Sequence, residues 1–151
     1  MFTFLVIYGI FLLIFSLIGI AFYVLFAYAF YRIALNAGLE NPWLAWIPVA
    51  QWYILAKLIK SLKISEYEVP NLEFVLPGAT LIAMAFNRIP VIGGLLSLAN
   101  YILLLFALNK LYKIYKPDLA VLYTVLSVFA FPVPFIFLAL KDLKPTEVKP
   151  S

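Results

Sequence analysis

The chain has 151 residues, of which 66% are hydrophobic and only 12% are charged. A soluble domain is roughly 45–50% apolar and about 25% charged, and a small one needs a polar shell because much of its surface stays exposed. Eleven basic and seven acidic side chains cannot supply that shell. The composition therefore excludes a soluble enzyme, a disordered chain and a secreted disulfide scaffold. It predicts an all-α integral membrane protein.

Cysteine and histidine are both absent from the sequence. Without them the chain lacks a thiolate nucleophile, the usual general base and the commonest ligands of transition metals. It also has no phosphate loop, dinucleotide-binding fingerprint or paired-carboxylate metal motif. We therefore expect no catalytic, cofactor-binding or metal site. The net charge is +4, but the lysines flank apolar segments, so we expect anionic lipid headgroups at the lysine-rich helix ends, and no nucleic acid, as partner.

The first apolar segment, residues 1–31, contains no charged side chain. About 20 apolar residues suffice to cross a bilayer, and Gly38 predicts where the helix ends. Residues 27–29, Ala-Tyr-Ala, have the form of a signal-peptide cleavage site. However, no basic region precedes the segment, and it is longer than the 7–15 apolar residues typical of a signal peptide. We expect a retained first helix.

A second helix is predicted from Asn41 to about Ile64, with Asn41 as N-cap and Pro42 in the first turn. Its apolar part before Lys57 is short, and Pro48 removes one backbone hydrogen bond. Three tryptophans favour a place near the lipid headgroups: Trp43, Trp46 and Trp52. The segment is either a short, kinked span or an interfacial or re-entrant helix.

Three further apolar segments follow a polar connection at residues 65–71. Residues 72–86 form a short one, whereas residues 91–108 are long enough to cross. Residues 119–140 are also long enough, and two prolines are predicted to kink them. We thus predict one polytopic transmembrane domain, residues 1–140, with four to five membrane helices. One or two of these are short and proline-kinked or re-entrant. Residues 141–151 form a polar tail that we expect to be flexible.

Lysines in short loops predict the orientation. The loop with Lys57 and the loop with Lys110 are expected on one side of the membrane. With five crossings the N-terminus lies inside, and with four it lies outside. Both arrangements place the tail, which begins with Lys141, on the side opposite these loops. The tail is basic, so this placement conflicts with the preference of basic residues for one side of the membrane.

Two short motifs repeat in order: Ile47-Pro48-Val49 and Ile89-Pro90-Val91 are each followed by Tyr-Ile-Leu and then by Lys-x-x-Lys. The spacing differs between the copies. The repeat indicates either a duplication, as in many transporters, or a rule for helix ends that places proline where a helix begins and lysine where it ends.

The element Trp-x-Ala-x-Ile-Pro at residues 43–48, which follows Ala37 and Gly38, resembles a family of small, uncharacterised bacterial membrane proteins. Ile89-Pro90 and Phe131-Pro132 are similar to later elements of that family, so the resemblance extends from Ala34 onward. The chain has Ala-Gln-Trp after Val49, where the family often has an asparagine. The resemblance implies a compact multi-helix fold in the bacterial cytoplasmic membrane and no established activity, although some members bear a signal-peptidase-like label.

A serine protease of that type needs a serine activated by a neutral lysine. Ser61 and Ser65 lie near Lys60 and Lys63. Lysines at a helix end are solvated and stay protonated, and the chain has no polar domain for an oxyanion hole. We therefore expect the protein not to be an enzyme.

Glu73, just after Glu66 and Glu68, is the best candidate for handling a proton or cation, because acidic groups in membrane segments are often functional. The alternative is a solvated helix start. Arg88, in a short connection, is expected at the interface. Five polar residues in apolar surroundings are predicted to hydrogen-bond between helices: Gln51, Thr80, Asn100, Thr124 and Ser127.

Gly93, Ser97 and Asn100 can share one face of a helix and allow close packing. Together these features favour a non-enzymatic accessory or interaction module in the cell membrane. It would pack against another membrane protein, a second copy or lipid. The alternative is a small transporter or channel that uses proline-broken helices and Glu73. A lipid-directed enzyme is the least favoured hypothesis.

Overall fold

The computed structural model describes residues 1–146, and most of these are helical. The six α-helices are α1 Phe2–Asn36, α2 Ala50–Ile59, α3 Leu72–Phe86, α4 Ile92–Tyr115, α5 Ala120–Ser127 and α6 Val133–Leu140. Two short 3-10 helices, Pro42–Trp46 and Pro117–Leu119, and one antiparallel pair of two-residue strands, β1 Lys63–Ile64 and β2 Tyr67–Glu68, connect them. The helical class is confirmed. α1 and α4 are each long and apolar enough to cross a membrane.

Four helix boundaries agree with the sequence patterns, and a fifth differs. α1 ends at Asn36, and Gly38 follows with a φ of +74°, a backbone conformation that glycine adopts without steric cost. α3 occupies the predicted residues 72–86. α4 begins as expected but ends at Tyr115 instead of Leu108, because the lysines beyond Leu108 are good helix formers.

The prediction of one helix from Asn41 to Ile64 is wrong. Residues 42–46 form a 3-10 turn, and α2 covers only Ala50–Ile59. Pro48 has no N–H to donate, and it favours an extended Ile47, which has φ −102° and ψ 119°. The chain therefore reverses at residues 47–49 before α2 begins.

The prediction of one kinked span at residues 119–140 is also wrong. α5 and α6 have eight residues each, and the turn between them contains Ala130 at a φ of +57°. Pro132 and Pro134 stand at the start of α6, where a missing N–H costs no helical hydrogen bond. They begin a new helix and do not kink an old one.

Two segments consequently fold back on themselves. We call residues 42–59 the first hairpin and residues 120–140 the second hairpin. The Tyr23 hydroxyl donates a hydrogen bond to the Trp46 carbonyl over 2.6 Å, so the first hairpin reverses beside the middle of α1. The Tyr101 hydroxyl donates to the Val128 carbonyl, so the second reverses beside α4.

All six helices have one terminus at the same end of the bundle, which we call the basic end. There the Asn36 side-chain amide donates to the Lys141 carbonyl over 2.7 Å. The Thr146 N–H donates to the Ile114 carbonyl over 2.8 Å. The expectation that the tail lies opposite the lysine loops is therefore wrong, because the second hairpin returns the chain to the end from which it came. Residues 147–151 of the predicted tail lie outside the described residues.

The core lies between the second half of α1 and the helices α2, α4 and α6. Its largest fully buried side chains include Phe30, Leu55, Tyr112 and Phe137. The rings of Phe30 and Phe137 meet edge to face with centroids 5.1 Å apart, an arrangement that aromatic pairs prefer. Ala27 and Ala29, the residues of the apparent cleavage site, are helical and fully buried. The second half of α1 is thus part of the core.

The repeated Ile-Pro-Val motif forms the same turn twice. Val49 has a φ of +71° and Val91 a φ of +67°. In each copy the N–H after the valine donates to the carbonyl of the proline, Pro48 or Pro90, over 2.9 and 2.7 Å. This is the γ-turn with positive φ, which is rare and strained. An α-helix follows directly in both copies, so the motif marks a helix start.

Candidate functional site

The charged side chains of the described residues gather at the basic end. Of the ten lysines and arginines within residues 1–146, Arg88 alone lies at the other end, in the turn between α3 and α4. The acidic side chains of this range all lie in or beside the basic end: Glu40, Glu66, Glu68, Glu73, Asp118 and Asp142. The two lysine loops thus lie on one side, as predicted, and nearly every other charged side chain of the described residues lies on that side too.

A cavity of about 490 Å³ opens at the basic end. We call it the basic cavity and define it by Lys57, Lys60 and Ser61 around the end of α2, Lys110 and Ile114 of α4, and Thr146. Lys110 is half-buried, whereas Lys57 and Lys60 are exposed. Two loops that the sequence only places on one side thus bring three ammonium groups to one cavity.

Glu73 neutralises one of these lysines. Its carboxylate lies 3.7 Å from the Lys57 ammonium group, and Lys57 also stands 5.4 Å from the centroid of the Tyr53 ring, within the range of a cation–π contact. The Glu73 side chain is 35% exposed. The predicted ion-handling candidate therefore lies at the basic end in an ion pair. Within residues 1–146, Lys60 and Lys110 have no carboxylate within 4.0 Å.

A second charged group joins α1 to the chain after α6. Asp142 lies 3.8 Å from the Arg32 guanidinium and accepts a hydrogen bond from Lys141. That hydrogen bond is the main reason why the pKa of Asp142 lies below its usual value, and the Arg32 charge adds to the effect. These contacts hold the end of α6 beside the end of α1.

A second cavity, of about 340 Å³, lies where the two hairpins reverse. We call it the apolar cavity, and its lining includes Phe22, Phe26, Trp52, Tyr101, Leu104 and Val133. The hydroxyls of Tyr23 and Tyr101 donate to hairpin carbonyls, so they satisfy backbone groups at this level. The apolar cavity therefore offers a ligand almost only hydrocarbon and aromatic surface.

Buried side chains separate the two cavities. Leu55 lies on α2 between Trp52 of the apolar cavity and Lys57 of the basic cavity, and it is fully buried. Leu111 has the same position on α4 and is also fully buried. Fully buried side chains thus lie between the two cavities along both α2 and α4.

Most of the polar residues predicted to join helices do so. The Thr80 hydroxyl lies 3.2 Å from the Asn100 side-chain oxygen. The Thr124 hydroxyl accepts a bond from Asn109 over 2.8 Å, and Ser127 shares one of 2.8 Å with Tyr112. Sequence reasoning missed the α4 partners Asn109 and Tyr112, because their spacing alone does not reveal that α5 lies beside them. These bonds join α3 and α5 to α4.

Gln51 differs from this group. It is 8% exposed, and its side-chain oxygen has no hydrogen-bond partner within the described residues. Gly93 has the predicted packing role: a Cβ at this position would lie 2.5 Å from the Phe86 carbonyl oxygen. With Asn100 on the same face, Gly93 brings α4 close to α3.

The two serines considered beside lysines both lie at the basic end. Ser61 borders the basic cavity beside Lys60, and Ser65 stands in the β1–β2 turn at a φ of +59°. Neither serine hydroxyl is hydrogen-bonded to a lysine in this range. No group of three acidic side chains in it is close enough to hold a metal ion.

Comparisons of the chain with protein-family models, with curated proteins and with solved structures find no match. The resemblance of residues 43–48 to small bacterial membrane proteins stays a prediction.

Proposed function

We propose that this chain is a small, non-enzymatic integral protein of a bacterial cytoplasmic membrane, and that it serves as an accessory module that packs against a membrane partner, a second copy or lipid. The first half of α1 is the observation on which this rests. Every side chain of residues 1–21 is exposed, and none is charged. An apolar surface of this extent marks a site of contact with a membrane or with another protein.

Helix lengths support a membrane location. At 1.5 Å per residue, α1 with its 35 residues is about 52 Å long and α4 with its 24 residues about 36 Å. The hydrocarbon core of a bilayer is roughly 30 Å thick. We propose that α1 and α4 cross it, and that α3, which with 15 residues is about 22 Å long, spans most of it beside α4. The two hairpins enter from the basic end and return to it. Reversed backbone at such depth needs hydrogen-bond partners, and the Tyr23 and Tyr101 hydroxyls supply two of them.

The charge distribution supports an orientation. Basic residues are enriched on the cytoplasmic side of membrane proteins, and nine of the ten described here lie at the basic end. This end would face the cytoplasm, and the N-terminus would lie on the opposite side.

Cysteine labelling tests the arrangement directly, because the chain has no cysteine of its own. Ser65→Cys and Lys144→Cys should react with a membrane-impermeant reagent from the cytoplasmic side only. Arg88→Cys should react from the other side. Labelling of Ser65→Cys and Lys144→Cys from different sides would contradict the hairpin arrangement, and extraction of the protein by alkaline carbonate would contradict membrane integration.

Photocrosslinking tests the role as a module. A photoreactive residue at Leu13 of α1 should capture one defined protein or lipid in intact membranes. The control is Leu98 of α4, which is exposed to a similar degree, 55% against 61%, but lies outside the unpartnered half of α1. A protein that is strictly monomeric, with no captured protein and no retained lipid, would refute the proposal.

The two cavities favour one second candidate, a small transporter. Two hairpins that reverse halfway along the long helices, with one cavity beside the reversals and another at the basic end, resemble the broken-helix design of transporters. The ion pair of Glu73 with Lys57 at the basic cavity is then the candidate gate. Liposomes containing the protein should take up solute faster than empty ones, and Glu73→Gln should change the rate. Uptake equal to that of empty liposomes would eliminate this candidate.

A further inference from the structure

We propose that the basic cavity binds a phosphate group, and that its source is the headgroup of an anionic phospholipid. This inference rests on the proposed membrane location, because that location places the basic cavity among lipid headgroups. Free phosphate has the same chemistry and is the other source that the experiment must distinguish.

Charge is the first reason. Lys57, Lys60 and Lys110 line the basic cavity, and Glu73 is the one carboxylate within 4.0 Å of any of them in residues 1–146. Among these residues the cavity thus keeps a positive excess after its ion pair is counted. Lys110 is half-buried, and an anion beside its ammonium group would offset part of the cost of that burial. Phosphate is a ligand that lysine commonly binds as a point charge.

The mixed chemistry of the lining is the second reason. Leu58 and Ile114 add apolar surface beside the lysines, and Ser61 adds a hydroxyl. Inorganic phosphate gains nothing from contact with apolar surface, whereas the glycerol and the first acyl carbons of a phospholipid can pack against it. The volume of about 490 Å³ lies within the usual range of ligand pockets. The lining therefore favours a lipid headgroup over a free ion.

Native mass spectrometry of the full chain in detergent tests the proposal. The ligand added is dioleoyl phosphatidylglycerol, dioleoyl phosphatidylcholine or inorganic phosphate. The wild type should bind phosphatidylglycerol in preference to phosphatidylcholine. Lys60→Gln combined with Lys110→Gln should weaken that binding about 30-fold, since each lysine that contacts the phosphate directly contributes at least about 1 kcal/mol. The matched control is Lys63→Gln with Lys113→Gln, which removes the same charge outside the basic cavity. It should stay within about threefold of the wild type, because exposed charges are screened.

Three outcomes would overturn the proposal. Equal binding of the two lipids would show that the anionic headgroup is not recognised, and equal losses in both double variants would show a general charge effect. Saturation by inorganic phosphate without lipid preference would make free phosphate the ligand. The cysteine labelling above, repeated on these variants, separates a failure of lipid binding from a failure of membrane insertion.

Discussion

Exchanging Val91 for glycine should stabilise the protein relative to exchanging it for alanine. Val91 has a φ of +67° and a ψ of −60°, where a β-branched residue is a genuine outlier. Its side chain is 76% exposed, so both substitutions remove nearly the same small contact. They differ in one respect, since alanine keeps the Cβ that causes the steric conflict and glycine does not.

The expected magnitude follows from two opposing contributions. A strained residue of this kind costs about 1–3 kcal/mol, and glycine removes that cost. Glycine also loses roughly 0.5–1 kcal/mol more backbone entropy on folding than alanine does. At Val91 the first contribution is the larger, so the glycine variant should be more stable than the alanine variant by about 1 kcal/mol.

Val121 is the matched control. It is 71% exposed and lies inside α5, where the backbone is helical. There alanine should be more stable than glycine by about 1 kcal/mol, so the order of the two variants is reversed between the two positions. Thermal unfolding in detergent, followed by circular dichroism, should show each difference as roughly 2–4 °C. The strain argument is refuted if the alanine variant at Val91 is as stable as the glycine variant or more stable.

Three further predictions use the same unfolding assay. Gly93→Ala should destabilise the protein by about 1–3 kcal/mol, because the added Cβ would meet the backbone at the end of α3. The control is Gly94→Ala, where the added Cβ has open space, and this variant should be neutral or stabilising. Equal losses of stability at both positions would contradict the close approach of α4 to α3. Tyr112→Phe should lower the free energy of unfolding by about 0.5–1.5 kcal/mol. The same substitution should cost less in a Ser127→Ala background, since the two hydroxyls share one hydrogen bond. Fully additive losses in the double variant would argue against that bond. The pKa of Asp142 is lowered in the folded state. The stability that Asp142 contributes is therefore fully present above its unfolded pKa of roughly 4 and is lost as the pH falls through its folded pKa. Asp142→Asn should be destabilised less by acid than the wild type, and an unchanged pH profile of stability would contradict the contacts of Asp142 with Lys141 and Arg32.

Local signals in the sequence were sufficient for the outer boundaries of the fold. Gly38 ends α1, and the limits of α3 agree with the prediction, because a glycine, a proline or a charge next to an apolar run acts on the backbone within one helical turn. The reversals were not predictable in this way. Pro132 is compatible with a kink in a long helix and with the first turn of a new one. The positive φ of Ala130 has no sequence signal, since alanine is not a turn residue.

The sequence was sufficient to predict that the lysines of the candidate site lie on one side, but not that they line one cavity. The sequence placed the loops of Lys57 and Lys110 on one side, and the structure agrees. That these lysines line one cavity depends on how α2 packs against α4, which no spacing in the sequence reports. The ion pair between Lys57 and Glu73 has the same origin, because it joins the end of α2 to the start of α3.

The hairpins explain why nearly all charges can share one end. If residues 119–140 crossed the bilayer, Lys141 and Lys144 would lie opposite the other lysines, against the charge bias of membrane proteins. A second hairpin that reverses beside Tyr101 returns them to the basic end. Each reversal leaves backbone groups without helical hydrogen bonds, and the hydroxyls of Tyr23 and Tyr101 donate to two of these carbonyls. These two tyrosines should therefore matter more for the stability of the hairpins than their partial exposure indicates.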